Sequence, residues 1–85
     1  MRIQRSKRFD KEFSKQPSKV QDKFVERIQL FVKDPKSPLL NIHGLTGEYR
    51  GCFSFNVSAD VRVVYEIRDD VVSLMAIGTH SQLYG

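Results

Sequence analysis

The sequence predicts an α+β fold: an N-terminal strand and a helical hairpin packed on a small antiparallel sheet. Three observations carry that prediction. Between Lys19 and Lys33 the apolar residues Val20, Phe24, Ile28 and Phe31 are spaced four, four and three apart, which paints one face of a helix. From Tyr49 onward the apolar period becomes two, the period of a strand. Polar turns at Ser58-Ala59-Asp60 and Asp69-Asp70 cut that second half into strands of a meander.

Taken in order, Arg2 to Arg5 reads as a short strand. Ser6 then caps a helical run with Phe9 and Phe13 at i, i+4 on one face. Pro17 closes that run. Ser18 and Gln21 have capping-box spacing and begin the second helix. Asp34-Pro35 ends it, because the residue before a proline is pushed out of helical backbone geometry. Residues 35 to 48 form a connector rich in Pro, Ser, Gly and Asn. Beyond it Tyr49, Gly51, Phe53, Phe55 and Val57 point one way, and Arg50, Cys52, Ser54 and Asn56 the other. Val61, Val63, Tyr65 and Ile67 alternate with Arg62, Val64 and Glu66. Val71 to Ile77 is almost wholly apolar, as suits an interior strand. The helices must bury their Phe stripe and the sheet its aromatic face, and stacking one on the other does both.

At 85 residues the chain reads as a single domain, residues 1 to 85, with no internal repeat or linker. No apolar run approaches about 18 residues, so no membrane partner is expected. The N-terminus is basic but lacks the apolar stretch of a signal peptide. One cysteine, Cys52, cannot form an internal disulfide, and a reducing cytoplasm is the expected location. Net charge is +4, unevenly spread. Residues 1 to 36 carry 11 Lys and Arg against five acids; residues 37 to 85 carry three against five. A basic first half suits a polyanion or an acidic protein partner, and suits plain solubility as well.

The register of the first hairpin gathers the polar residues. Pairing Val57 with Val61 across the turn sets Asn56 opposite Arg62 and Ser54 opposite Val64. Arg50, Ser54, Asn56 and Arg62 then share the face turned away from the helices, with Asp60 at the turn. His80, just past the last strand, reaches the same rim, and His43 approaches from the side. Such a surface offers guanidinium groups for phosphate, an imidazole for proton transfer, and Tyr84 for stacking on a base. Each residue also has a plainer reading. His80 can cap a terminus, His43 can be an ordinary loop histidine, and Asp60 can be a turn former. Arg50 can pair with Glu48 or Glu66 on the surface, and Tyr84 can pack the C-terminus. Arg62, set among Val61, Val63 and Val64, is the arginine hardest to explain without a purpose.

Together these segments resemble a known family. His43-Gly44-Leu45-Thr46-Gly47, Tyr49-Arg50, Asp60-Val61-Arg62-Val63-Val64-Tyr65 and Gly78-Thr79-His80-Ser81-Gln82-Leu83-Tyr84 look like a toxin of the RelE/ParE superfamily, in its YafQ-like branch. The resemblance implies a toxin of a bacterial type II toxin–antitoxin pair that cuts ribosome-bound mRNA. It implies no metal and no cofactor: the ribose 2′-hydroxyl attacks the adjacent phosphate, leaving a cyclic phosphate and a free 5′-hydroxyl. By position, His80 and His43 match the family's catalytic histidines, Asp60 its acid, and Arg62 a phosphate-binding arginine. Tyr84 stands where relatives carry Phe or Tyr, and Arg50, Asn56 and Ser54 complete the expected substrate surface. The resemblance also implies three partners: an acidic antitoxin, the ribosome and mRNA. One departure stands out. Where YafQ-like toxins tend to have Asp-x-His, this chain has Ser54-Phe55-Asn56, and an amide cannot shuttle protons at neutral pH. Two other readings remain: a ParE-like inhibitor of DNA gyrase, or a non-catalytic RNA- or protein-binding module.

Overall fold

The computed structural model describes residues 1–85. Strand β1 (Arg2–Arg5) leads into helix α1 (Lys7–Ser14) and helix α2 (Ser18–Lys33). A connector with a 3₁₀ turn at Pro38–Leu40 reaches the short strand β2 (His43–Gly44) and a second 3₁₀ turn at Gly47–Tyr49. Strands β3 (Phe53–Asn56), β4 (Val61–Arg68) and β5 (Val71–Thr79) form the meander, and helix α3 (His80–Tyr84) ends the chain. No helix is long and apolar enough to cross a membrane.

The five strands lie in the order β1-β5-β4-β3-β2. The meander is antiparallel, as its turns require, but β1 joins β5 in parallel through Arg2↔Val71 to Arg5↔Leu74. The sheet is therefore mixed. Beyond Arg5 the chain leaves the sheet, and α1 covers the rest of the β5 edge. Ser6 does this with one hydroxyl: it accepts from the Phe9 N–H (2.9 Å) as the α1 N-cap and donates to the Met75 carbonyl (3.0 Å). Glu12 accepts from the Ile77 N–H at 3.1 Å. Open edge groups are thus paired by side chains rather than by a further strand.

The expected capping box of α2 does not form. Pro17 occupies the N-cap and offers no side-chain bond, so Ser18 is the first helical residue. Gln21 instead donates to the carbonyls of Phe13 (3.0 Å) and Gln16 (3.1 Å), closing the end of α1 that Pro17 leaves open.

The core lies between the hairpin and the sheet. Phe9, Phe13 and Phe24 pack with centroids 5.2–5.8 Å apart, and Phe31 packs on Phe55 and Tyr65 at 5.3 and 5.0 Å. Leu40, from the connector, is fully buried in the same cluster. One residue, Met75, is extra in β5: Val64 pairs with Ala76 but Tyr65 pairs with Leu74. This bulge lets Leu74 and Ile77 face the helices while Met75 and Ala76 both turn to the other side.

That other side is not bare. Tyr49, Val64, Ala76 and Leu83 form a second apolar cluster there, flanked by Leu45, Cys52 and Met75. Tyr49 was expected beside Phe53 and Phe55, and it lies on the opposite face. The reason is backbone geometry: Gly47 (φ +68°) and Gly51 (φ +88°) turn the chain twice before β3 begins at Phe53. Burial raises the pKa of the Cys52 thiol, with nearby Glu66 adding to the shift, so Cys52 is held as a neutral thiol beside the cluster.

Candidate functional site

The predicted hairpin register is present: Asn56 pairs with Arg62 and Ser54 with Val64. On its other side Arg62 pairs with Gly78. Gly78 has no side chain to shield the guanidinium, and no ion pair or hydrogen bond holds Arg62 elsewhere. The hairpin tip carries Asp60, whose carboxylate accepts a long 3.4 Å hydrogen bond from the Ser58 hydroxyl.

The residues after β5 fold back as α3 rather than trailing from the strand end. Thr79 is the N-cap. Its hydroxyl accepts from the Gln82 N–H (3.2 Å), and the Gln82 side chain accepts from the Thr79 N–H (2.9 Å), a complete capping box. Thr-x-x-Gln was a readable signature of that turn. The fold-back places Leu83 on Val64 and Ala76, and sets His80 at the first helical position.

Ala59, Asp60, Arg62, Thr79, His80 and Ser81 line one open cleft of about 480 Å³. The β3–β4 tip forms one wall and the start of α3 the other. A carboxylate, a guanidinium and an imidazole, separated in sequence, thus face one space. The Tyr84 ring lies 4.8 Å from the His80 ring and is 41% exposed. The cleft pairs a proton carrier with a fixed cation, and an aromatic face stands beside them. This arrangement can bind an anion and move a proton next to it.

Other expected residues are not in the cleft. His43 pairs with Ser54 on the β2 edge. That puts it two strand spacings from β4 and level with Val64, two residues along from Arg62, roughly 10 Å across and 7 Å along. Arg50 follows the 3₁₀ turn at Gly47–Tyr49, exposed and outside any strand. Ser54 does lie on the expected face, but it is 2% exposed, so its hydroxyl cannot meet a substrate. Asn56 stands beside Arg62, and its Oδ1, like the Ser54 hydroxyl, is buried with no partner. Ala59, Thr79 and Ser81 line the cleft without having been singled out from sequence. Thr79 and Ser81 take their place from the fold-back of α3, and Ala59 from the β3–β4 tip. No group of three His, Cys, Asp or Glu side chains is arranged to hold a metal ion.

A helical hairpin on one face of a five-stranded mixed sheet is an α+β fold, and it matches that of RelE- and YoeB-like toxin structures. Escherichia coli YafQ, from strain BL21(DE3), superposes with a TM-score of 0.85 at 21% identity, covering 100% of both chains. The E. coli DinJ–YafQ toxin–antitoxin complex gives 0.81 at 21% identity over 98% of this chain and 96% of that one. A YoeB/ParE toxin from Agrobacterium tumefaciens gives 0.75 at 16% identity over 94% and 99%. At these identities the likeness is one of fold. No curated protein sequence matches significantly. The family described as "Bacterial toxin of type II toxin-antitoxin system, YafQ" matches residues 1–85, the whole chain, and the protein belongs to that family.

Proposed function

We propose that this protein is a ribosome-dependent endoribonuclease that cuts mRNA without a metal ion. The observation that carries the proposal is the convergence of His80, Arg62 and Asp60 on one cleft. In the reaction the ribose 2′-oxygen bonds to the adjacent phosphorus as its proton leaves. The bond from phosphorus to the 5′-oxygen breaks, and that oxygen takes up a proton. The products are a 2′,3′-cyclic phosphate and a 5′-hydroxyl. His80 serves one of the two proton transfers, and Arg62 stabilises the extra negative charge on the phosphorane. Asp60 is assigned to orient His80 or Arg62 once RNA is bound, and Tyr84 to stack on a base beside the scissile phosphate. The Asn56 amide oxygen, unpartnered on the strand beside Arg62, is assigned to accept from the guanidinium when the site is occupied. His43 and Arg50, outside the cleft, are assigned to the flanking RNA or ribosome surface rather than to the chemistry.

Three features support an acidic antitoxin as partner: the basic first half of the chain, the family, and the solved toxin–antitoxin complexes of its structural neighbours.

Primer extension on mRNA in a translating extract tests the nuclease reading. Wild type is expected to cut within codons, and His80→Ala to lower the rate about 10²- to 10⁴-fold, the usual contribution of a general acid or base. Intact mRNA with translation unaffected overturns the proposal. Intact mRNA with DNA breaks in cells would turn the reading to gyrase.

A further inference from the structure

Tyr49 joins three segments that are far apart in sequence. Its hydroxyl donates to the Leu83 carbonyl at 2.8 Å and accepts from the Arg8 guanidinium at 2.7 Å. Arg8 also lies over the Tyr49 ring, 5.6 Å from its centre. A second contact fixes Arg8: its Nε donates to Glu12 at 3.1 Å, and the other Glu12 oxygen accepts from the Ile77 N–H. Glu12, followed by Tyr49, accounts for the raised pKa of Arg8. The phenol is thus held between an anchored cation on α1 and the last turn of α3.

Helix α3 needs such an anchor. It has five residues, too few to be stable alone. Its start is held by the Thr79–Gln82 box. Its final carbonyls have no partner within the helix, and Tyr49 supplies one for Leu83. The aromatic contacts continue the same line. Tyr49 meets Tyr84 edge-on at 5.2 Å, and Tyr84 covers His80 at 4.8 Å. A guanidinium donating into the phenol also strengthens the bond that the phenol donates onward.

We propose that Tyr49 and Arg8 are positioning residues for His80: their tie pins the end of α3 and, through Tyr84, fixes the imidazole at the cleft. The inference rests on His80 as the proton carrier of the proposed reaction. Neither residue touches the cleft, so neither is assigned a catalytic role.

The test uses the full chain and Tyr49→Phe, which keeps the ring and deletes only the hydroxyl. Arg8→Met is the second variant, should the first not fold. Two readouts are needed. In the free protein, the His80 ring protons in NMR spectra carry the ring-current shift of Tyr84, and each variant is expected to move them toward free-histidine positions. In the translating extract, the cleavage rate at saturating mRNA is expected to fall about fivefold, the population change that one hydrogen bond of ordinary net strength controls, with KM within about twofold of wild type. Unchanged His80 shifts in a folded variant overturn the inference, whether or not cleavage falls. If wild type cuts no mRNA, the nuclease reading fails, while the His80 shifts still decide whether the tie positions the ring.

Discussion

Gly78 is where the structure of the cleft is most exposed to a single methyl group. A Cβ built there would lie 2.9 Å from both the Cβ and the Oε1 of Gln82, closer than carbon atoms sit without strain. Gly78 lies outside the positive-φ backbone region, so alanine adds no conformational penalty of its own, and the contact accounts for the whole effect. Gln82 cannot simply swing aside, because its side chain accepts from the Thr79 N–H and its backbone is part of α3. Gly78→Ala therefore either overpacks the site or lifts α3 from β5. Overpacking of this kind costs about 1–3 kcal/mol. For a domain of this size that lowers the melting temperature by on the order of 5–20 °C. Gly44→Ala is the matched control. It is also a strand glycine, but its added Cβ would meet only Phe53 ring atoms at 3.8 and 3.9 Å, ordinary contact distances. That change is expected to be neutral or to stabilise by about 0.4–1 kcal/mol through the unfolded chain. Thermal melts followed by circular dichroism, with hydrogen exchange at the Thr79 amide, read both effects. A Gly78→Ala protein that melts with wild type and keeps Thr79 protected would refute the reasoning. It would mean that α3 does not lie against β5 as described.

Ser6→Ala removes a cap and orphans the Met75 carbonyl, so a loss of roughly 2–3 kcal/mol is expected in urea unfolding; a loss below about 0.5 kcal/mol would show that the hydroxyl does not bridge α1 and β5. Tyr65, 2% exposed, has its phenol pushed up to about 12 by burial, from an ordinary value of 10.0. The unfolded chain therefore gives up this proton first. The Tyr65 contribution is whole below about pH 10 and is lost as pH rises towards 12, by at most about 3 kcal/mol. Urea midpoints across that range, compared with those of Tyr65→Phe, should diverge above pH 10, and parallel curves would exclude the effect.

The two halves of the fold were legible to different degrees. Helix α2 was plain because every fourth or third residue from Val20 to Phe31 is apolar, and the buried residues Phe24 and Phe31 are among them. The β3–β4 register was legible because a three-residue turn between two apolar strands leaves few pairings that keep Phe55, Val63 and Tyr65 on one face. Tyr49 departs from the strand alternation because the backbone turns at Gly51, before β3 begins. The Ser18–Gln21 spacing does not become a capping box because the Gln21 amide is taken by the carbonyls of Phe13 and Gln16. His43, expected at the side of the site, lies on the β2 edge and not in the cleft; nothing local fixes how a connector from residue 35 to 48 returns to the sheet.

The sequence by itself determined the types of β1, α1, α2, β3, β4 and β5, the hairpin pairing that sets Asn56 against Arg62, the charge of the two halves, and the motifs of the family. The element types and the hairpin pairing depend on residues within a few positions of one another, where backbone preference and side-chain period are decided, and charge and motifs need no coordinates. The tertiary structure alone decided that β1 runs parallel to β5 and that Met75 bulges. It also decided that Tyr49 reaches Leu83 and Arg8, and that α3 turns back to bring His80 to Arg62 and Asp60. Those contacts link residues from about ten to about seventy positions apart. They form only because two apolar clusters, one on each face of the sheet, must both be closed from water.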